Sequence, residues 1–255
     1  RIRQQIEDPI MRKAVANAQE RIGANRQKMV DELGHWEDWR DRASQIRDHV
    51  LSNLDAYLYQ LSEKVTENGG HVYFAKTKED ATRYILQVAQ SKNAKKVVKS
   101  KSMVTEEIGM NAALETAGIE VVETDLGEYI IQLADEPPSH IIAPAIHKTR
   151  AQVAELFEAA HGGPRKTTVG ELVTEARLVL RDKYFKADVG ITGGNYLVAE
   201  TGSTVIVTNE GNGDLTQTLA RVHIVTSGIE RIVPSLEDVS LFQRLLARSG
   251  TGQET

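Results

Sequence analysis

From residue 71 onward the chain alternates short β-branched runs with stretches of helical period, and no other feature constrains the fold as much. Residues 71–75 read as a strand, and residues 77–91 as a helix carrying Ala81, Ile85 and Val88. KKVVKS at 95–100 is a strand and 103–117 a helix, which Gly118 ends before a strand at 119–123. Residues 124–146 are less regular, with short apolar pieces at 129–133 and 140–143 separated by Pro137-Pro138. Helices follow over 148–160 and 168–183, the second opened by Thr167 or Thr168 with Glu171 in capping-box spacing. Strands are expected again at 221–226 and 229–233, before a last helix that Pro234-Ser235 starts. This order predicts an α/β fold with a mostly parallel sheet flanked by helices.

Residues 1–67 carry almost no strand signal. Pro9 suits the first turn of a helix reaching Leu33, and a second helix is expected from 42 to about 67. It carries Ile46, Val50, Leu54, Leu58 and Leu61 at helical spacing and is stopped by Gly69-Gly70. Trp36 and Trp39 lie between these helices and read as packing anchors. The expected division is a helical N-terminal extension, 1–67, and an α/β domain, 68–255.

The 255 residues suffice for a substantial core, and 40% hydrophobic with 26% charged residues is ordinary for a globular protein. A net charge of −5 argues against a general nucleic-acid binder, because neutralising phosphates needs a basic surface. No apolar run is long enough to span a bilayer, and the expected location is cytoplasmic. Cysteine is absent, which removes disulfides, thiolate nucleophiles and cysteine-held metal centres from these residues. The sequence opens on Arg1 and stops just after a helical pattern, so a fragment of something longer is expected.

Residues 188–214 gather polar side chains at three glycine turns. Thr192, Gly193, Gly194 and Asn195 form the first turn, and Glu200, Thr201, Gly202 and Ser203 the second. Asn209, Glu210 and Asn212 belong to the third. Such turns let a ligand approach the backbone, although plain hairpins use the same residues. Glu200 is the candidate catalytic residue: a carboxylate there can serve as base, bind a hydroxyl or amine, or attack an activated acyl group. The 192–195 turn would supply oxyanion donors. The structural alternative is that Glu200 caps a turn or pairs with a surface lysine.

Lys99, Ser100, Lys101 and Ser102 form the second candidate, a loop between a strand and a helix, where ligands of parallel sheets bind. Its hydroxyls and ammonium groups suit a carboxylate or phosphate, although it lacks the glycines of a Walker loop. The alternative is a helix cap at Ser102 with solvated lysines, Glu106 and Glu107 complementing the helix dipole. His140 and His147, near Asp135 and Glu136, are candidate substrate contacts. Their spacing matches no metal-ligand pair, so no metal is expected. Neither a dinucleotide fingerprint nor a Ser-His-Asp elbow is present.

Four passages, KSKSMVTEEIGMNAALE (99–115), EYIIQLADEPPSHIIAPAIHKTR (128–150), GITGGNYLVAETGSTVIVTNEGNGD (190–214) and RVHIVTSGIERIVPSLEDV (221–239), resemble the lactate-utilisation (LUD) domain family. The likeness covers nearly the whole chain and is to the B-type iron–sulfur proteins of a three-component bacterial system. The resemblance implies a fold of the sugar-phosphate isomerase and CoA transferase-like kind. It also implies a cytoplasmic complex oxidising L-lactate to pyruvate, with 4Fe-4S clusters for electron transfer in a C-terminal region of cysteine runs. That region is missing here, so this chain alone is not expected to pass electrons. Ser100, Lys101 and Ser102 would take the carboxylate of lactate or pyruvate, and Glu200 the hydroxyl or its proton. The expected partners are the other lactate-utilisation subunits. The alternatives are a CoA transferase-like acyl-transfer enzyme with Glu200 as nucleophile in an E-x-G setting, and a purely structural subunit.

Overall fold

A computed structural model describes residues 9–139, 143–208 and 210–254. Three helices come first: α1 (Pro9–Leu33), α2 (Trp36–Ser52) and α3 (Leu54–Glu67). The single helix expected over 42–67 is broken at Asn53, whose side-chain amide donates back to the His49 carbonyl at 2.8 Å. Asparagine competes with helix continuation in this way. Residues 71–75 form no ladder: Val72 is their only β-branched residue, and a strand needs a partner more than it needs propensity.

The alternation then holds as α4 (Lys78–Ser91), β1 (Lys96–Lys99), α5 (Met103–Glu107), α6 (Met110–Thr116) and β2 (Glu120–Glu123). The helix expected over 103–117 is two helices, because Gly109 takes a left-handed φ of +66° between them. Next come α7 (Leu126–Ala134), α8 (Arg150–His161), α9 (Val169–Phe185) and β3 (Val189–Gly193). The apolar piece at 129–133 thus lies inside a helix that Asp125 caps by accepting from the Glu128 amide. After β4 (Tyr196–Val198) and β5 (Ser203–Val205), the expected third glycine turn instead opens α10 (Asn212–Leu219). The chain continues through β6 (Val222–Thr226), a 3₁₀ turn at Ile229–Arg231, β7 (Ile232–Val233) and α11 (Leu236–Thr251).

Two compact units result. One comprises Arg1–Tyr73, Gly194–Val205 and Gly228–Thr255; the other comprises Phe74–Gly193 and Ile206–Ser227. The second unit holds a four-stranded parallel sheet in the order β2-β1-β3-β6. Strands β1, β2 and β3 are largely buried, as parallel strands covered by helices are, whereas the edge strand β6 is half-buried along its length. Val97, Val121 and Ile191 pack on Ile85, Ala89, Met110 and Leu114. Val98 and Val122, one residue on, face the opposite way into Tyr129, Phe157, Leu172 and Leu180. Gly190 in β3 is required by packing, since a Cβ there would stand 2.0 Å from the Thr216 carbonyl oxygen of α10.

In the first unit, β4 pairs antiparallel with β5 and parallel with β7. Tyr196, Val198 and Ile232 meet Ile46, Val50, Leu61 and Phe242 there. The run of glycine turns is therefore one hairpin, β4–β5, preceded by a strand that belongs to the parallel sheet of the second unit.

Candidate functional site

In a parallel sheet every strand ends on the same side, and side chains of in-register partners share a face. Lys99 ends β1 and is in register with Glu123, which ends β2. Period-two alternation places both on the face of Val97 and Val121, towards α5 and α6. Lys99 Nζ meets Glu123 Oε1 at 2.8 Å, with side-chain exposures of only 1% and 5%. Two neighbours support the pair. Thr105 Oγ1 accepts from Lys99 Nζ at 3.1 Å, and the Asn111 side-chain amide donates to Glu123 Oε1 at 2.7 Å. The Glu123 backbone amide donates to the Gln132 side chain at 3.0 Å. An ion pair this deep is costly to desolvate and survives only with such satisfied geometry.

Two further carboxyls feel this pair. Glu128, buried in the first turn of α7, has its pKa raised from 4.5 to about 7, chiefly by burial. Repulsion from Glu106 and Glu123 adds to that, and Lys101 and Lys99 oppose it. Glu106 on α5 is also raised, first by burial, with Lys99 drawing it down and Glu123 pushing it up. The ends of β1 and β2 thus collect three glutamates and two lysines in a poorly solvated place. Chemically, such a group can hold a proton near neutral pH and accept hydrogen bonds from a ligand.

The structure distributes the residues expected from sequence as follows. Lys99 is committed to Glu123, whereas Lys101 is half-buried and makes no hydrogen bond or ion pair among the described residues. Ser100 is buried and its amide extends the ladder to the Ile191 carbonyl at 2.9 Å. Ser102 caps α5 by accepting from the Thr105 amide, and its hydroxyl lies 3.3 Å from that of Thr226. Thr192 bonds His223 at 2.8 Å; burial pushes the pKa of that imidazole down. A Cβ on Gly193 would stand 3.3 Å from Ser102 Oγ, so β3 and the Lys101–Ser102 backbone close on one another. The 99–102 loop and the Thr192-Gly193 strand end therefore meet within one unit. Glu210, on the exposed edge of the same unit, accepts the Leu126 amide at 3.3 Å. Asn212 accepts from Thr208 at 2.9 Å.

Gly194, Asn195 and Glu200–Ser203 belong to the other unit. Asn195 donates its amide to the Val205 carbonyl at 2.8 Å. Glu200 is exposed, and its carboxylate accepts the Leu236 amide at the start of α11 at 3.4 Å. The Thr201 carbonyl accepts from Asn68, the Gly202 amide donates to Val198, and Ser203 bonds Thr201. His147 bridges Ser139 at 2.6 Å and Glu136 at 2.9 Å, and Lys148 reaches the same carboxylate at 2.6 Å. His140 and Asn209 lie outside the described residues. Among the described residues no group of three or more His, Cys, Asp or Glu side chains is placed to hold a metal ion.

Sequence reasoning missed Glu123, Glu128 and Asn111, and treated Glu106 only as a helix-dipole residue. Two signals were available. Glu123 closes a run, IEVVE, whose other members are apolar or at its start, and Glu128 is a lone carboxylate beside the apolar YIIQLA. A charge inside an apolar pattern is paired or perturbed when the pattern is buried.

The fold is that of an α/β domain built on a parallel sheet, and the sequence places it: the chain belongs to the LUD domain family, which matches residues 58–255. It is 66% identical over 252 residues to the Escherichia coli (strain K12) protein named "Uncharacterized electron transport protein YkgF", covering 99% of this chain and 53% of that protein. It is 54% identical over 249 residues to "Lactate utilization protein B 2" of Bacillus mycoides (strain KBAB4), covering 98% of this chain and 53% of the relative. "Lactate utilization protein B" of Lysinibacillus sphaericus (strain C3-41) is 52% identical over 255 residues, 100% of this chain and 54% of the relative. The chain thus spans about half the length of the relatives it matches. No solved structure matched. No helix among the described residues is long and apolar enough to cross a membrane.

Proposed function

We propose that this chain is the α/β part of an electron-transfer subunit in a cytoplasmic system that oxidises L-lactate to pyruvate. The observation that carries the reading is identity of 52–54%, over nearly all of the chain, to proteins named for lactate utilisation. The name of the E. coli relative, an electron transport protein, supports the electron-transfer role. The role of these residues is to bind a small carboxylate, lactate or pyruvate, or to dock the other lactate-utilisation subunits. The 99–102 loop with Thr192 and Gly193 is the place for that carboxylate, and Lys101 is its cation.

These residues contain no cysteine and do not fit a thiolate-held cluster. The 4Fe-4S clusters of this reading belong to the portion of the relatives that this chain does not cover, where they would carry electrons onward. The test is growth on L-lactate after deletion of the gene, together with iron and acid-labile sulfide on the protein made from the intact gene. Lost growth and several irons per chain support the proposal. Undiminished growth, with no duplicate gene present, overturns it.

A further inference from the structure

Four oxygens around the Lys99–Glu123 pair are buried and have no donor among the described residues: Glu106 Oε1, Asn111 Oδ1, Glu123 Oε2 and Glu128 Oε1. Buried acceptors in native proteins are nearly always met, and leaving one unmet is costly. Glu123 and Glu128 are more than nine-tenths buried, with exposures of 4% and 6%. Lys99 serves Glu123 and Thr105, the Asn111 amide serves Glu123, and the Gln132 amide serves the Val121 carbonyl at 2.8 Å. Of the neighbouring donors only Lys101 makes no bond among the described residues. The place can therefore take a ligand that donates.

A donor for these oxygens can be a hydroxyl or an ammonium, because Glu106 and Glu123 outweigh Lys101 and Lys99 in the field at Glu128. Of the two, the hydroxyl is the one carried by a carboxylate of the lactate type proposed above. Lys101, in the same field and without a partner among the described residues, suits an anionic group on the same molecule.

We propose that the ends of β1 and β2 bind a small hydroxy acid, its hydroxyl donating into the Glu123 and Glu128 oxygens and its carboxylate set towards Lys101. This rests on the carboxylate reading above and adds to it the group that tells a hydroxy acid from a plain acid. It also moves recognition of the hydroxyl from Glu200 to Glu128.

The test compares L-lactate with propionate, which has the carboxylate but no hydroxyl, by titration calorimetry on the 255-residue chain. One buried hydrogen bond to a charged acceptor predicts that L-lactate binds about tenfold more tightly. In Glu128→Leu that preference disappears, and in Glu128→Gln, which keeps one acceptor oxygen, part of it remains. Lys101→Met weakens both acids equally. Equal binding of the two acids by the native chain overturns the proposal, as does binding of neither. A Glu128→Leu protein that keeps its circular dichroism and its lactate preference also overturns it. If Glu128→Leu fails to fold, the native ratio and Glu128→Gln still decide. Growth on L-lactate and iron content are read separately, so the lactate-system proposal and this one fail independently.

Discussion

Replacing Glu128 by glutamine should stabilise the protein at alkaline pH and leave it nearly unchanged at acid pH. In the folded chain the Glu128 carboxyl titrates at about 7, against 4.5 when solvated. Between those values the folded chain keeps a proton that the unfolded chain has released. Stability then falls as pH rises through the window, and the loss is complete above 7. At about 1.4 kcal/mol per pH unit, that gap corresponds to a penalty of about 3 kcal/mol at pH 8. Burial accounts for most of it, with repulsion from Glu106 and Glu123 on top and attraction to Lys101 and Lys99 offsetting part. Glutamine has the same shape and no charge, so the variant carries no such penalty. Urea unfolding of both proteins at several pH values from 5 to 8 gives the answer directly. The two stabilities should diverge from pH 5 to about 7 and keep a constant offset above that, with unchanged m-values. Parallel curves would mean that Glu128 ionises as a solvated carboxylate does, and the buried cluster would lose its physical basis.

Other outcomes follow from the same contacts. Lys99→Met should cost about 3–5 kcal/mol in urea unfolding by stranding the Glu123 carboxylate, and adding Glu123→Leu should recover much of it; a double variant as unstable as the single would refute this. Gly190→Ala should sharply reduce soluble yield and thermal stability, because its methyl meets the Thr216 carbonyl 2.0 Å away with only backbone to move. A native-like melting temperature would show that α10 does not press on β3 so closely. Tyr129→Phe should cost about 1 kcal/mol, measured by urea unfolding, through the loss of a hydroxyl 2.9 Å from His161 Nε2. The ring stacking with His161 would remain, so a loss several times larger would argue against this account.

How much of this was legible in the sequence differs from element to element. Period-two and period-3.6 patterns report which side of a segment avoids water, and they gave the α/β class, strands over 95–100 and 119–123 that the structure trims to 96–99 and 120–123, helices α8 and α9 to within two residues, and the start of α11. Local polar chemistry was harder to weigh. Asn53 and Gly109 split helices that their hydrophobic stripes carry through without interruption, and Gly211-Asn212-Gly213 opened a helix where composition suggested a turn.

The candidate site was legible in one half. The strand–loop–helix order marked Lys99–Ser102 without coordinates, because a loop at the carboxyl end of a parallel strand follows from chain order alone. The partners of that loop do not follow from order. Glu123 reaches Lys99 through the register of β2 on β1, and Glu128 joins them because Asp125 starts α7 just beyond that strand end. A carboxylate's burial, its neighbours and hence its affinity for a proton are properties of three-dimensional surroundings. The sequence by itself determined the class of fold, the family and the absence of thiolates. Only the tertiary structure decided that Lys99 is spent on an ion pair and that the hydrogen-bonding capacity at the strand ends lies with the glutamates.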